Sequence, residues 1–309
     1  MPGLDTDPFG HAPELPDDPE RPVEPGDASP PAEAPAEAPA ARWPLWTAFV
    51  AVLTALVLGN ILGGIVLGIA TAGGADRDDM PVAWTMVANG FFQLSLLGTA
   101  WFFARTYGGA TAERFGLRTV RLGPAVGWAA LALVAYYVFQ AVWISLLNLQ
   151  NETDDITDKL QQDPTTATVA LIAVFAVVIA PIIEETFFRG YVFTALRSSL
   201  PTGWAAVITG VIFGAVHGFG SPIGFLPPLA ALGVVLCLVY WKTGSLLPCI
   251  ALHLTNNAIA LTVALDWTWQ GLVLWAGAML AVTGLVLPFV AVTRRIPTRP
   301  LAGSETASL

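Results

Sequence analysis

Two adjacent glutamates and two histidines stand inside stretches of sequence that are otherwise apolar. Between Thr166 and Leu265 the carboxylates are Glu184 and Glu185 alone, and after residue 11 the histidines are His217 and His253. A charged side chain at a bilayer centre costs about 2.5–3.5 kcal/mol on insertion scales, so such groups persist where they pair, face water or perform chemistry. Residues four apart share a helix face, whereas neighbours point about 100° apart. Glu185 is therefore placed to pair with Arg189, in the favourable acid-before-base order, and Glu184 points elsewhere. Phe213 and His217 share a second face, and His253 and Asn257 a third. Peptide hydrolysis needs a deprotonated water, a proton for the leaving amine and donors aimed at the oxyanion. On this reading Glu184 is the general base and His217 helps to hold the water. His253 and Asn257 then stabilise the oxyanion, while Glu185, Arg189 and Phe213 support the site. A second chemistry places a divalent metal, with zinc the expected ion, on His217, His253 and Glu184. Against it, the chain has no HExxH and Asn257 is a poor zinc ligand.

Such a site requires helices that cross a membrane. Apolar residues make up 55% of the chain and charged ones 12%, with 11 tryptophans, a balance outside the range of soluble domains. Apolar stretches long enough to span recur near 46–70, 83–104, 124–148, 166–189, 203–219, 226–241, 246–264 and 268–293. Glycine, proline or charge separates them, as at Gly73-Gly74, Pro164 and Pro227-Pro228. The expected fold is all-α and polytopic, with about eight transmembrane helices. The span 203–219 is short, and Gly218-Phe219-Gly220-Ser221-Pro222 reads as a break inside the bilayer, tolerated where protein or a wet cavity satisfies its backbone.

Orientation follows from the cations. With a cytoplasmic N-terminus, Arg42, Arg105, Arg114, Arg118, Arg121, Arg197, Lys242, Arg294, Arg295 and Arg299 fall inside, against Arg77 and Lys159 outside. This asymmetry favours both termini in the cytoplasm and a multi-pass protein of the plasma (inner) membrane. Counted from a turn at Pro201, Glu184 lies 17 residues before and His217 16 after, so they stand level. Taking Arg189 as an interfacial marker places the site at shallow depth below the cytoplasmic face.

The net charge of −9 is local. Ten of the 23 acids precede residue 42 against one base, Arg21, which leaves 13 of each sign in the remainder. No basic face for nucleic acid exists there. Three parts are expected: a disordered acidic tail rich in Pro, Ala and Glu at 1–41, a transmembrane domain at 42–295, and a short cytoplasmic tail at 296–309.

Three motifs carry a family resemblance. Glu184-Glu185-Thr186-Phe187-Phe188-Arg189 fits EExxxR, Phe213-Gly214-Ala215-Val216-His217 fits FxxxH, and His253-Leu254-Thr255-Asn256-Asn257 fits HxxxN. In order and spacing the chain resembles the CAAX protease and bacteriocin-processing family of intramembrane proteases, which includes the type II CAAX prenyl endopeptidases. The resemblance covers about 165–265, with weaker similarity at Phe115-Gly116-Leu117-Arg118 and Thr243-Gly244-Ser245-Leu246. It implies an intramembrane endopeptidase acting on a membrane-anchored peptide or protein within the bilayer, with the same division of roles. Two other classes share some of these features. Intramembrane carboxylates and broken helices also mark transporters or ion-coupled carriers, and a non-catalytic scaffold or immunity-type protein could keep the residues. A lone membrane histidine or asparagine is commonly a helix-packing partner. The coincidence of Glu184, His217 and His253 weighs against that reading.

Overall fold

The computed structural model describes residues 43–293. The acidic tail and the last residues, to which the readings at 1–41 and 296–309 belong, lie outside them. Among the described residues the regular secondary structure is all helical, and eight helices are long and apolar enough to cross a membrane. In chain order these are α1 (Leu45–Ala72), α2 (Val82–Thr106), α3 (Leu122–Leu147), α5 (Thr166–Leu196), a fifth span at Thr202–Phe219, α7 (Leu226–Thr243), α8 (Leu246–Ala264) and α9 (Trp269–Thr293). Large apolar side chains such as Leu53, Ile61, Leu131, Val138 and Leu280 are exposed on their outward faces. The protein is a multi-pass integral membrane protein.

One helix was not expected. The connection after α3 folds into α4 (Asp155–Gln162), whose N-terminus is capped by the Asp154 carboxylate accepting from the Thr157 amide at 2.8 Å. Leu160 is buried, and Lys159 donates to the Met80 carbonyl at 3.3 Å. Eight residues are too few to stand out as a periodic pattern, but an Asp cap with Asp in the first turn and Lys in the last is a legible signature.

Small residues allow the close helix pairs. On α1, Ala48, Ala51, Ala55, Gly59 and Gly63 form a buried stripe against α2, where the Ser95 hydroxyl donates to the Ala55 carbonyl at 2.9 Å. The fifth span begins as α6 (Thr202–Val216) and meets α7 through glycine: a Cβ at Gly210 would lie 2.6 Å from the Ala230 carbonyl oxygen, and one at Gly214 2.6 Å from that of Leu226. Without a hydrophobic drive between helices in lipid, such backbone approach is what packs them.

The fifth span ends in a tightened turn. After Val216 one 3₁₀ turn, His217–Phe219, tightens the chain before Gly220. Fifteen α-helical residues and three in 3₁₀ geometry reach about 28 Å, just short of a hydrocarbon core of about 30 Å. The broken backbone is satisfied by protein: the Asp155 amide donates to the Gly220 carbonyl at 3.0 Å, and the Trp143 indole to that of Gly224 at 2.9 Å. Thus α3 and α4 close this end.

Candidate active site

α5 is not a regular α-helix, and its irregularity has a sequence cause. Val174–Ile179 and Thr186–Phe193 are π-helical, and between them Ala180–Glu185 carries Pro181. In the wider register the Ala180 amide bonds the carbonyl of Phe175. The carbonyl of Ala176 would then look to residue 181, and proline has no N–H to give. Asn257 of α8 supplies the donor instead, its Nδ2 lying 2.8 Å from the Ala176 oxygen. A carbonyl in an apolar span needs a partner, and this bond pins α8 to α5 beside the two glutamates. π-helical turns recur at functional sites.

Glu184 and Glu185 diverge as the spacing predicts. Glu185 is fully buried, and its Oε1 accepts from Arg189 Nη1 at 2.9 Å. The same oxygen lies 2.8 Å from His253 Nδ1. An ionised carboxylate only accepts, so this ring nitrogen carries the proton. Arg189 also donates to the Gly233 carbonyl at 3.0 Å and places its guanidinium 4.6 Å from the Phe213 ring centroid. Buried charges persist when paired and hydrogen-bonded.

Arg189 is therefore not an interfacial marker. It is completely buried, and α5 runs on to Leu196. Glu184 stands twelve residues before that end.

Glu184 occupies a different setting. Its side chain is 13% exposed, and its Oε2 lies 3.9 Å from His253 Nε2. Its Oε1 accepts from Gln93 Nε2 of α2 at 2.7 Å. One imidazole is thus flanked by two neighbouring carboxylates, Glu185 at Nδ1 and Glu184 at Nε2. In neutral His253 the Nε2 edge is an acceptor, and with Glu184 it can take both protons of one water molecule.

His217 stands apart from this pair. Its Nδ1 lies 2.7 Å from the Phe213 carbonyl of the preceding turn. Phe213 packs against both imidazoles, its ring centroid 4.6 Å from that of His217 and 5.8 Å from that of His253. The rings of Phe188 and Phe213, each one turn nearer Pro201 than Glu184 and His217, meet edge to face at 5.1 Å. Direct contact of His217 with Glu184 is absent among the described hydrogen bonds and ion pairs.

Zinc on His217, His253 and Glu184 would need three converging donors. Among the described residues no group of three His, Cys, Asp or Glu side chains is placed to hold one ion. The arrangement does not fit a three-ligand zinc site.

Three polar contributors were missed from sequence. Gln93 lies on α2, outside the three motifs, and is 5% exposed. Tyr137 of α3 donates to Asn256 Oδ1 at 3.1 Å, and Asn256 Nδ2 donates to Asn257 Oδ1 at 3.1 Å, so a chain of hydrogen bonds orients Asn257. A buried amide in an apolar span is the same signal that singled out the glutamates, and it applied equally to Gln93.

Residues 166–259 match the family model described as type II CAAX prenyl endopeptidase Rce1-like. This stretch resembles that family. It contains Glu184, Glu185, Arg189, Phe213, His217, His253 and Asn257, so the resemblance read from three motifs holds over the Rce1-like region, while Gln93 and Tyr137 lie outside it. The chain is 28% identical over 133 residues to the Bacillus subtilis (strain 168) protein named "Putative membrane peptidase YdiL", covering 43% of this chain and 49% of that one. It is also 28% identical over 138 residues to an uncharacterized 24.3 kDa protein of Escherichia coli, covering 44% of this chain and 63% of the relative. The matched parts span about half and just under two thirds of these relatives. No solved structure matches the chain.

Proposed function

We propose that the chain is an intramembrane endopeptidase that hydrolyses peptide bonds of membrane-anchored substrates, using a water activated by Glu184. The single observation that carries this is the pair Glu184 Oε2 and His253 Nε2 at 3.9 Å, with His253 held from behind by Glu185. A water lying off the line between them donates one hydrogen to each, and its lone pair is left for a carbonyl carbon. Glu184 takes the proton as the C–O bond forms, then returns it to the amine nitrogen as the C–N bond breaks.

The tautomer of His253 changes the roles expected from spacing. With Nδ1–H committed to Glu185, neutral His253 holds the water through Nε2 rather than donating to the oxyanion. Asn257 has a second Nδ2 hydrogen beyond the one given to Ala176, and that hydrogen serves the oxyanion. Neutral His217, its Nδ1–H given to the Phe213 carbonyl, presents Nε2 as an acceptor and helps to hold the water. Resemblance of the region to prenyl endopeptidases and of the chain to a protein named as a membrane peptidase supports the same reaction class. The net positive-inside balance supports cytoplasmic termini.

The test is comparative proteomics of membrane peptides from cells carrying wild-type or Glu184→Gln protein. New C-termini that appear with wild type alone are expected. Identical peptide sets, or normal hydrolysis by both Glu184→Ala and His253→Ala, would overturn the proposal.

A further inference from the structure

Asn257 is held by a line of side chains that begins outside the three motifs. Its Nδ2 donates to the Ala176 carbonyl at 2.8 Å, and its Oδ1 accepts from Asn256 Nδ2 at 3.1 Å. Asn256 Oδ1 in turn accepts from the Tyr137 hydroxyl at 3.1 Å. The line therefore runs from α5, through two neighbouring residues of α8, to α3. Asn256 is 9% exposed and Tyr137 is half-buried, so little water competes for these bonds.

The direction of the line is fixed from its α5 end. A carbonyl oxygen only accepts, so Asn257 turns its amide nitrogen to Ala176 and its oxygen to Asn256. Asn256 must then donate to that oxygen, which leaves its own oxygen facing α3. Only a donor satisfies it there, and the phenol supplies one. A reversed Asn256 would set its oxygen against that of Asn257. Without the phenol the same oxygen is a half-hidden acceptor with no donor, and Asn256 gains by turning away from Asn257.

The second bond to Asn257 matters because of amide geometry. A single bond from Nδ2 to Ala176 fixes one hydrogen and leaves the planar amide free to turn about that line. A bond to Oδ1 stops the turning, and with it fixes the direction of the remaining Nδ2 hydrogen. That hydrogen is the one assigned above to the oxyanion, where a donor is effective when it is aimed before charge develops.

We infer that Tyr137 is a positioning residue, whose hydroxyl acts through Asn256 to fix the amide plane of Asn257 and so aim its second Nδ2 hydrogen at the carbonyl oxygen under attack. The inference rests on the endopeptidase reading and deepens it, adding to the site a residue of α3 that lies outside the matched stretch 166–259. Tyr137 takes no part in bond making.

The experiment uses the full chain in proteoliposomes with a lipid-anchored peptide probe, from which kcat and KM are read. In parallel, NMR spectra of asparagine-labelled protein follow the side-chain amide of Asn257, assigned by its loss in Asn257→Ala. Tyr137→Phe removes one hydroxyl and keeps the ring. It is expected to lower kcat about tenfold, the effect of one lost hydrogen bond, to leave KM within about twofold, and to shift the Asn257 signal. Asn257→Ala is expected to lower kcat about 10²–10³-fold, as removal of an oxyanion donor does. In that background Tyr137→Phe should change kcat by less than about twofold, because the group it positions is gone. Trp143→Phe, which removes the bond from α3 to the Gly224 carbonyl, controls for α3 packing and should leave both kcat and the Asn257 signal in place. An unchanged kcat in Tyr137→Phe overturns the positioning role, as does an unaltered Asn257 signal, an equal loss of kcat in both backgrounds, or an equal loss from Trp143→Phe. A shifted signal in Tyr137→Phe with no hydrolysis by wild type upholds the hold on Asn257 and overturns the endopeptidase reading. An unaltered signal with no hydrolysis by wild type overturns both.

Discussion

Glu185 Oε1 lies 2.8 Å from His253 Nδ1, so a carboxylate of α5 fixes the proton on an imidazole of α8 from the side opposite Glu184. The same oxygen holds Arg189, which makes Glu185 the joint of three buried groups. Adjacent positions in one motif thereby acquire unlike duties. In the proposed mechanism Glu184 faces the water, and Glu185 determines which edge of His253 faces it too.

Substitution of the two glutamates should separate these duties. Glu185→Gln leaves Arg189 without its counter-charge, and breaking a buried pair from one side costs about 3–5 kcal/mol. A marked fall in thermal unfolding temperature in detergent is expected, together with lost hydrolysis. Glu184→Gln removes a base and keeps the shape, so hydrolysis should fall about 10²–10⁴-fold with unfolding nearly unchanged.

Pro181 is expected to matter through a hydrogen it lacks. Pro181→Ala supplies an amide that competes with Asn257 for the Ala176 carbonyl, releasing Asn257 from α5. Hydrolysis should fall several-fold although a proline has been removed from a helix, a change that ordinarily stabilises by about 3 kcal/mol. Unfolding and activity measured on one preparation would show the two moving in opposite directions. Parallel changes would count against this role for the proline.

The α6–α7 contact should be sensitive to a single carbon. Gly210→Ala places Cβ 2.6 Å from the Ala230 oxygen and 2.5 Å from Val234 Cγ2, and overpacking of this kind costs about 1–3 kcal/mol. Because Gly233 of α7 accepts from Arg189, displacement of α7 should also weaken the Glu185 cluster. Gly203→Ala on the same helix, where a Cβ meets nothing within 4 Å, is the control and should unfold as wild type does.

Chelation should leave hydrolysis within about twofold, since His253 and Glu184 bring two donors together and a catalytic zinc site takes three protein ligands. Activity after treatment with a strong zinc chelator, alongside the metal content of the purified protein, checks this. Loss of activity restored by zinc would overturn it.

The spans were legible because about 20 apolar residues in a row fit little besides a membrane crossing, and the glutamate divergence because helical geometry admits only one partner for Arg189 at four residues' spacing. What escaped the sequence depended on contacts between helices. Arg189 looked interfacial because a cation usually is, and its burial rests on the Gly233 carbonyl of α7, made reachable by glycines on α6 and α7. The water-holding side of His253 depends on Glu185 being 68 residues away in sequence and 2.8 Å away in space. Gln93 belongs to no motif, and α4 is too short to announce itself by periodicity.

The Glu185–Arg189 pair lies within one helix, and this bears on how the protein is made. Synthesis proceeds from the N-terminus, so α5 enters the membrane before α7 and α8 exist to offer Gly233 or His253. Two lone charges would each burden that step by about 2.5–3.5 kcal/mol. Four residues apart on one face, they neutralise each other as soon as the helix forms, so the span brings its own counter-ion into the lipid and later helices dock onto a charge already balanced.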